Sequence, residues 1–153
     1  MKPILNLVVA LFAFSVAFAM TSTQTVYASL EEERLFKWEV TRVIDGDTVG
    51  ILVEWGPLEL RKLSVRIRGI DTPEKGYRAK CDYEKEQGKI ATQFMLDIVD
   101  SGETILFGNP QWGKYGGRII ADMYVGNANY SNLIMEAGLA KLYDGGKKSS
   151  FCE

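Results

Sequence analysis

The chain has 153 residues, 46% of them hydrophobic and 25% charged, with a formal net charge of −2. That is enough chain for one domain with a real core, and it is not the uniformly basic coat of a general polyanion binder. It contains no histidine, which excludes imidazole chemistry and leaves proton transfer to carboxylates, lysine, tyrosine or metal-bound water.

Residues 1–28 form the first compositional break. Lys2 precedes an almost wholly apolar run over residues 4–18, and small-residue cleavage sites follow at Ala19 and Ala28. The pattern predicts a signal peptide cut after Ala28, because residues 21–25 make a polar spacer. An uncleaved anchor is the alternative, although the run is short for a span of about 20 residues. Removing the leader, which carries one lysine and no acid, leaves a net charge of −3. Any attraction for a polyanion must therefore be local. In an exported chain, an even pair of cysteines, Cys81 and Cys152, reads as a disulfide. Two free thiols or an intermolecular bond are the other readings. Closing a loop of about 70 residues is worth roughly 4 kcal/mol on the chain-entropy model.

Beyond the leader, a solvated Glu-rich stretch at 31–34 leads into strand patterns at 36–44 and 49–53, and then Trp55-Gly56-Pro57 marks a turn. Residues 58–70 form a third strand. From Leu63 onward it alternates, so that Leu63, Val65 and Ile67 share one face while Arg66 and Arg68 share the other. The apolar phase slips between Leu60 and Leu63, which predicts a bulge. A helix is expected over 83–99, with Ile90, Ala91, Phe94, Met95 and Ile98 inward. Strands at 103–107 and 118–125 flank a loop at 111–117, and a short helix at 131–137 stops at Gly138. A Gly- and Lys-rich tail follows. Five strands with a helix after the third predict a mainly β α+β fold, an OB-type five-stranded barrel with two packed helices, over residues 29–153.

Asp47 and Asp71 sit beside turns or strand ends, where carboxylates can face a cleft. Calcium accepts such oxygens, and the Thr72 carbonyl, at about 2.3–2.6 Å in irregular geometry. Zinc would want nitrogen or sulfur ligands. Read alone, Asp45-Gly46-Asp47 is equally a plain hairpin turn. Arg66 and Arg118 are candidates for forked contacts to phosphate oxygens, and each reads alternatively as a surface arginine. Arg68, nearer the strand end, is a weaker candidate. Glu74 follows a turn fixed by Pro73, where its carboxylate can hold or deprotonate a water. Lys114, Tyr115 and Tyr143 suit a terminal phosphate or a stacked base.

The order of these motifs is more specific than any one of them. Asp45-Gly46-Asp47-Thr48, then residues 65–74 (Val-Arg-Ile-Arg-Gly-Ile-Asp-Thr-Pro-Glu), then Lys114-Tyr115-Gly116-Gly117-Arg118, then residues 136–140 (Glu-Ala-Gly-Leu-Ala) resemble the thermonuclease (staphylococcal nuclease-like) family. The resemblance spans about residues 40–143. It implies a five-stranded OB barrel with helices and an enzyme that cleaves DNA and RNA with calcium and leaves 3′-phosphates; with the leader, the expectation is an exported enzyme, and a monomer. It further implies Asp47, Asp71 and the Thr72 carbonyl as calcium ligands, with Asp45 beside the metal. Arg66, Arg118 and Glu74 are then catalytic, and Lys114 and Tyr115 are phosphate contacts. Two departures stand out. Two glycines, not one, separate Tyr115 from Arg118, and the chain ends soon after Tyr143 without a third helix. A Cys81–Cys152 bridge would take over that helix's role in holding the tail. A non-catalytic OB module that binds nucleic acid or another partner is the rival reading.

Overall fold

The computed structural model describes residues 34–54, 56, 57 and 61–152. The expected leader lies outside them, as does part of the segment that carries the expected bulge before Leu63. Nine strands, two α-helices and one 3-10 turn (Gly76–Arg78) are described: β1 (Leu35–Phe36), β2 (Glu39–Asp45), β3 (Thr48–Leu52), β4 (Lys62–Ile67), β5 (Ile70–Asp71), α1 (Asp82–Asp100), β6 (Ile105–Trp112), β7 (Arg118–Val125), β8 (Ala128–Asn129), α2 (Tyr130–Glu136) and β9 (Lys141–Leu142). The fold is α+β and mainly β, as expected. The main sheet is mixed, in the order β1-β6-β7-β4-β3-β2, with β8 added on β7.

The expected closed barrel is not formed. Among the described residues no ladder joins the two ends of the sheet, β1 and β2. The ends are instead consecutive pieces of one stretch, because Lys37 and Trp38 interrupt the strand. Trp38 stacks on Phe36 at 5.2 Å and on Phe107 at 5.4 Å between ring centroids. An aromatic stack thus packs at the interruption between β1 and β2.

Strands β2 and β3 form a hairpin whose two-residue turn is Gly46-Asp47, with Asp45 paired to Thr48. Strand β4 pairs antiparallel with β3 and parallel with β7, so α1 serves as the crossover between the two halves of the sheet. Period-two alternation puts Val49, Ile51, Val65, Ile67, Ala121 and Met123 in the core. The opposite face of β4 carries Ser64 and Arg66, in register with Arg118 and Ile120 of β7.

Cys81 caps α1 through its sulfur, which accepts the Glu84 N–H, and Asp82 and Glu84 in the first turn complement the helix dipole. Ala91 and Met95 are fully buried, while Ile90 is 49% exposed, which corrects its expected place in the core. Helix α1 makes its close approaches through small residues, Gly88 against the Pro73–Glu74 backbone and Ala91 against the Gly46 turn, and Ile90 lies off that line. Strand β6 also runs further than expected, to Trp112. It survives Pro110 by a register shift between Gly108 and Gln111, with Asn109 in the left-handed region at φ 48°.

Candidate active site

The Gly46-Asp47 turn is fixed from below. The Tyr130 hydroxyl of α2 donates to the Gly46 carbonyl at 2.7 Å, and a Cβ at Gly46 would lie 2.8 Å from Ala91 Cβ. So held, the turn aims Asp47 inward, where it is only 2% exposed. Its Oδ1 accepts from Thr48 Oγ1 at 2.8 Å, and its Oδ2 accepts from the backbone N–H of Thr72 at 3.0 Å. Asp71, 3% exposed, ends β5, which pairs with β9 through Ile70↔Leu142 and Asp71↔Lys141.

Arg66 joins the two acids. Its Nη1 donates to Asp47 Oδ1 at 2.6 Å and its Nη2 to Asp71 Oδ1 at 2.8 Å. The arginine predicted to project from the outer face of β4 does so, and one guanidinium fork spans both motifs. Tyr143, just past β9, lies under it, with the guanidinium carbon 5.6 Å from the ring centroid. Burial opposes the Arg66 charge, but Asp47 and Asp71 outweigh it and hold its pKa above the usual value.

Glu74 joins the cluster through a residue that the sequence did not single out. Lys148 Nζ lies 2.8 Å from Asp71 Oδ1 and 3.0 Å from Glu74 Oε1. The only sequence signal for it was the cysteine four residues later. The disulfide is present, with Cys81 and Cys152 Cα atoms 6.0 Å apart, and it fastens the tail that carries Lys148.

Arg118 and its neighbours form a second group on the same sheet face. By register, Arg118 stands beside Ser64, two residues or roughly 7 Å along the sheet from Arg66. The extra glycine has a defined place: Gly117, at φ 73°, accepts the Ser64 N–H at 2.9 Å and so docks the loop on β4. Arg118 and Lys114 both lie over the Tyr115 ring, at 5.6 and 6.0 Å from its centroid. Trp112 and Tyr115 are exposed aromatics on this approach, and Trp112 was not anticipated. Arg68 belongs to neither group. It bonds Asp122, Gln111 and the Asn109 carbonyl, clamping β4 to β6 and β7.

The acids of this cluster carry hard oxygen donors, the type that a divalent cation takes. Asp45, Asp47, Asp71 and Glu74 face Arg66 and Lys148, which pair with them directly, and the exposed Arg78, whose charge is felt at Glu74 and Asp45, so acids outnumber cations around the cluster. Asp47 shows the imbalance. Burial, and then the charge of Asp45, push its carboxyl up to about 7, against a partial offset from Arg66. A divalent cation would supply the missing charge with oxygen ligands. Among the described residues, the one set of three candidate ligand side chains whose ligand atoms lie together is Glu84 with Cys81 and Cys152, and it offers no thiolate because both sulfurs are in the disulfide.

No curated protein matches the chain. The family model described as staphylococcal nuclease homologue matches residues 64–151, a span that includes Arg66, Asp71, Thr72, Glu74, Arg118 and Tyr143. That span is more than half of the chain, and the chain belongs to the staphylococcal nuclease homologue family.

Proposed function

We propose that this protein is an exported, calcium-dependent nuclease that hydrolyses phosphodiester bonds in DNA and RNA and leaves 3′-phosphates. The observation that carries the reading is the fork of Arg66 between Asp47 and Asp71, with Glu74 linked to the same cluster. Asp47, Asp71 and the Thr72 carbonyl would hold the calcium ion, which when bound neutralises charge on a phosphoryl oxygen.

The other roles belong to side chains. Arg66 is already oriented towards oxyanions and stabilises the negative charge that grows on the phosphoryl oxygens as water attacks. Arg118, on the same face, serves the next oxygen outward. Glu74, half-buried beside Asp71, orients the attacking water and takes its proton. Lys114 and Tyr115 receive a neighbouring phosphate, and Tyr143 supports Arg66 from behind. Export is supported by the apolar leader and by the disulfide. Among the described residues no helix is long and apolar enough to cross a membrane.

The test is digestion of plasmid DNA and of RNA by the purified protein with calcium, with a chelator, and with Glu74→Gln. Activity with calcium alone and loss in the other two arms supports the reading. Retention of nucleic acid without cleavage in every arm would identify a binding module instead.

A further inference from the structure

Lys148 sits where the sequence offers no motif, yet its position is closely determined. The tail that carries it is fixed at both ends. Upstream, β9 pairs with β5, and the Tyr143 N–H donates to the Gly69 carbonyl at 2.9 Å. Downstream, Phe151 is buried, with Lys141 Nζ 4.8 Å from its ring centroid, and Lys141 also donates to the Ser150 carbonyl at 2.7 Å. The disulfide then anchors Cys152 next to the start of α1. Between these anchors the chain turns at Gly145, φ 96°, and Asp144 Oδ1 accepts the Gly146 N–H. The arch so formed lays one ammonium group across Asp71 and Glu74.

We propose that Lys148 is a positioning residue of the site, an ammonium on a disulfide-anchored arch that steers Glu74 and competes with the divalent cation for Asp71. The inference rests on the reading of Asp71 as a metal ligand. Asp71 Oδ1 already receives Arg66 and Lys148, so a cation that approaches this oxygen meets two positive charges. Arg66 also holds Asp47 and is fixed by β4. Lys148, 41% exposed at its side chain, is the partner that can swing away. When it leaves Asp71 it remains within reach of Glu74, because the arch limits its travel. The arrangement weakens metal binding and in return keeps the Glu74 carboxylate orientated.

Calcium titration calorimetry on the oxidised full chain tests this, with Lys148→Met and Lys148→Arg compared with the unaltered protein and thermal melts used to confirm folding. Removal of one positive charge at contact distance should tighten calcium binding by about tenfold or more. Lys148→Arg, which keeps the charge, should stay within about threefold. In single-turnover cleavage at saturating calcium, Lys148→Met should nonetheless be slower, because Glu74 has lost its guide. Tighter metal binding with slower chemistry is a pair of changes that general destabilisation does not produce. Equal or weaker calcium affinity in Lys148→Met would overturn the proposal and leave the nuclease reading standing. If the unaltered protein and both variants bind no calcium, the metal reading falls with it.

Discussion

The hydroxyl of Tyr130 reaches across 84 residues of chain to the carbonyl of Gly46, 2.7 Å away, and both groups are buried. This bond ties α2 to the turn that aims Asp47. Burial, and then the charges of Asp47 and Asp45, hold the phenol pKa far above its ordinary value, so Tyr130 remains a neutral donor at every pH the fold survives. Tyr130→Phe keeps the ring and leaves the Gly46 carbonyl without its donor. The expected cost is about 1–2 kcal/mol, read from urea denaturation. Because the turn loosens, calcium affinity should fall as well, which calorimetry on the same samples measures.

Arg66 and Arg118 should differ in what they contribute. Either loss should lower the cleavage rate, on the order of 10²–10³ for a group that meets charge developing on phosphoryl oxygens. Arg66→Lys should not rescue, since a single ammonium cannot fork across Asp47 and Asp71. It should also destabilise the fold, because two buried carboxylates lose part of their pairing. Arg118 is part-exposed and rests on Tyr115, so Arg118→Lys should leave stability within about 0.5 kcal/mol. Paired rate and denaturation measurements on the two variants would separate these roles. Equal stability losses would show that Arg118 is embedded in the acid cluster after all.

Much of this site was legible because its parts lie in local patterns. The alternation of Leu63, Val65 and Ile67 dictates the face of Arg66, and Asp-Gly-Asp between two strand patterns dictates a turn. What escaped the sequence is what tertiary structure decides. Nothing local marks Lys148, because its place depends on Phe151, Cys152 and β9 acting together across the tail. The open ladder was illegible for a related reason. Trp38 reads as one more apolar strand residue, yet the strand breaks at Lys37 and Trp38, where the indole stacks on Phe107 instead. Ile90 fitted the helical period but lies off the line on which Gly88 and Ala91 make the close approaches of α1.

Asp47 predicts how stability depends on pH. Its carboxyl is pushed up to about 7 in the folded protein from 3.8, so between these values the folded state binds more protons than the unfolded state. The contribution is fully present below about pH 4 and is lost as pH rises through about 7. Without calcium, the protein should therefore melt at lower temperature at pH 7.5 than at pH 5. Asp47→Asn should flatten that dependence, and it should raise the melting point at pH 7.5 while doing little at pH 4. Calcium should stabilise the unaltered protein most above pH 7, where the carboxylate is ionised, and should not stabilise the variant. Melting curves at three pH values, each with and without calcium, check all of this. A steep dependence retained in Asp47→Asn would place the proton elsewhere.

Gly88 sets the distance between α1 and the Pro73–Glu74 turn. A Cβ there would lie 2.7 Å from the Glu74 carbonyl carbon and oxygen, and 2.7 Å from the Pro73 oxygen. All three are backbone atoms, so no rotamer can relieve the contact, and either the helix or the turn must move. Alanine favours a helix over glycine by about 1 kcal/mol, while overpacking of this kind costs about 1–3 kcal/mol. The net change in stability for Gly88→Ala should therefore be modest. The change in Glu74 should not be. Displacement of a carboxylate that orients water by about 1 Å can cost on the order of a hundredfold in rate, while substrate binding through Arg118, Lys114 and Tyr115, on another part of the sheet face, stays intact. Gly88→Ala should thus lower kcat far more than it changes KM. Lys85→Ala, an exposed position on the same helix, should do neither. Steady-state kinetics on the two variants, with melting curves alongside, distinguish displacement of Glu74 from loss of the fold, and an unchanged kcat in Gly88→Ala would mean that Glu74 does not act on the reacting water.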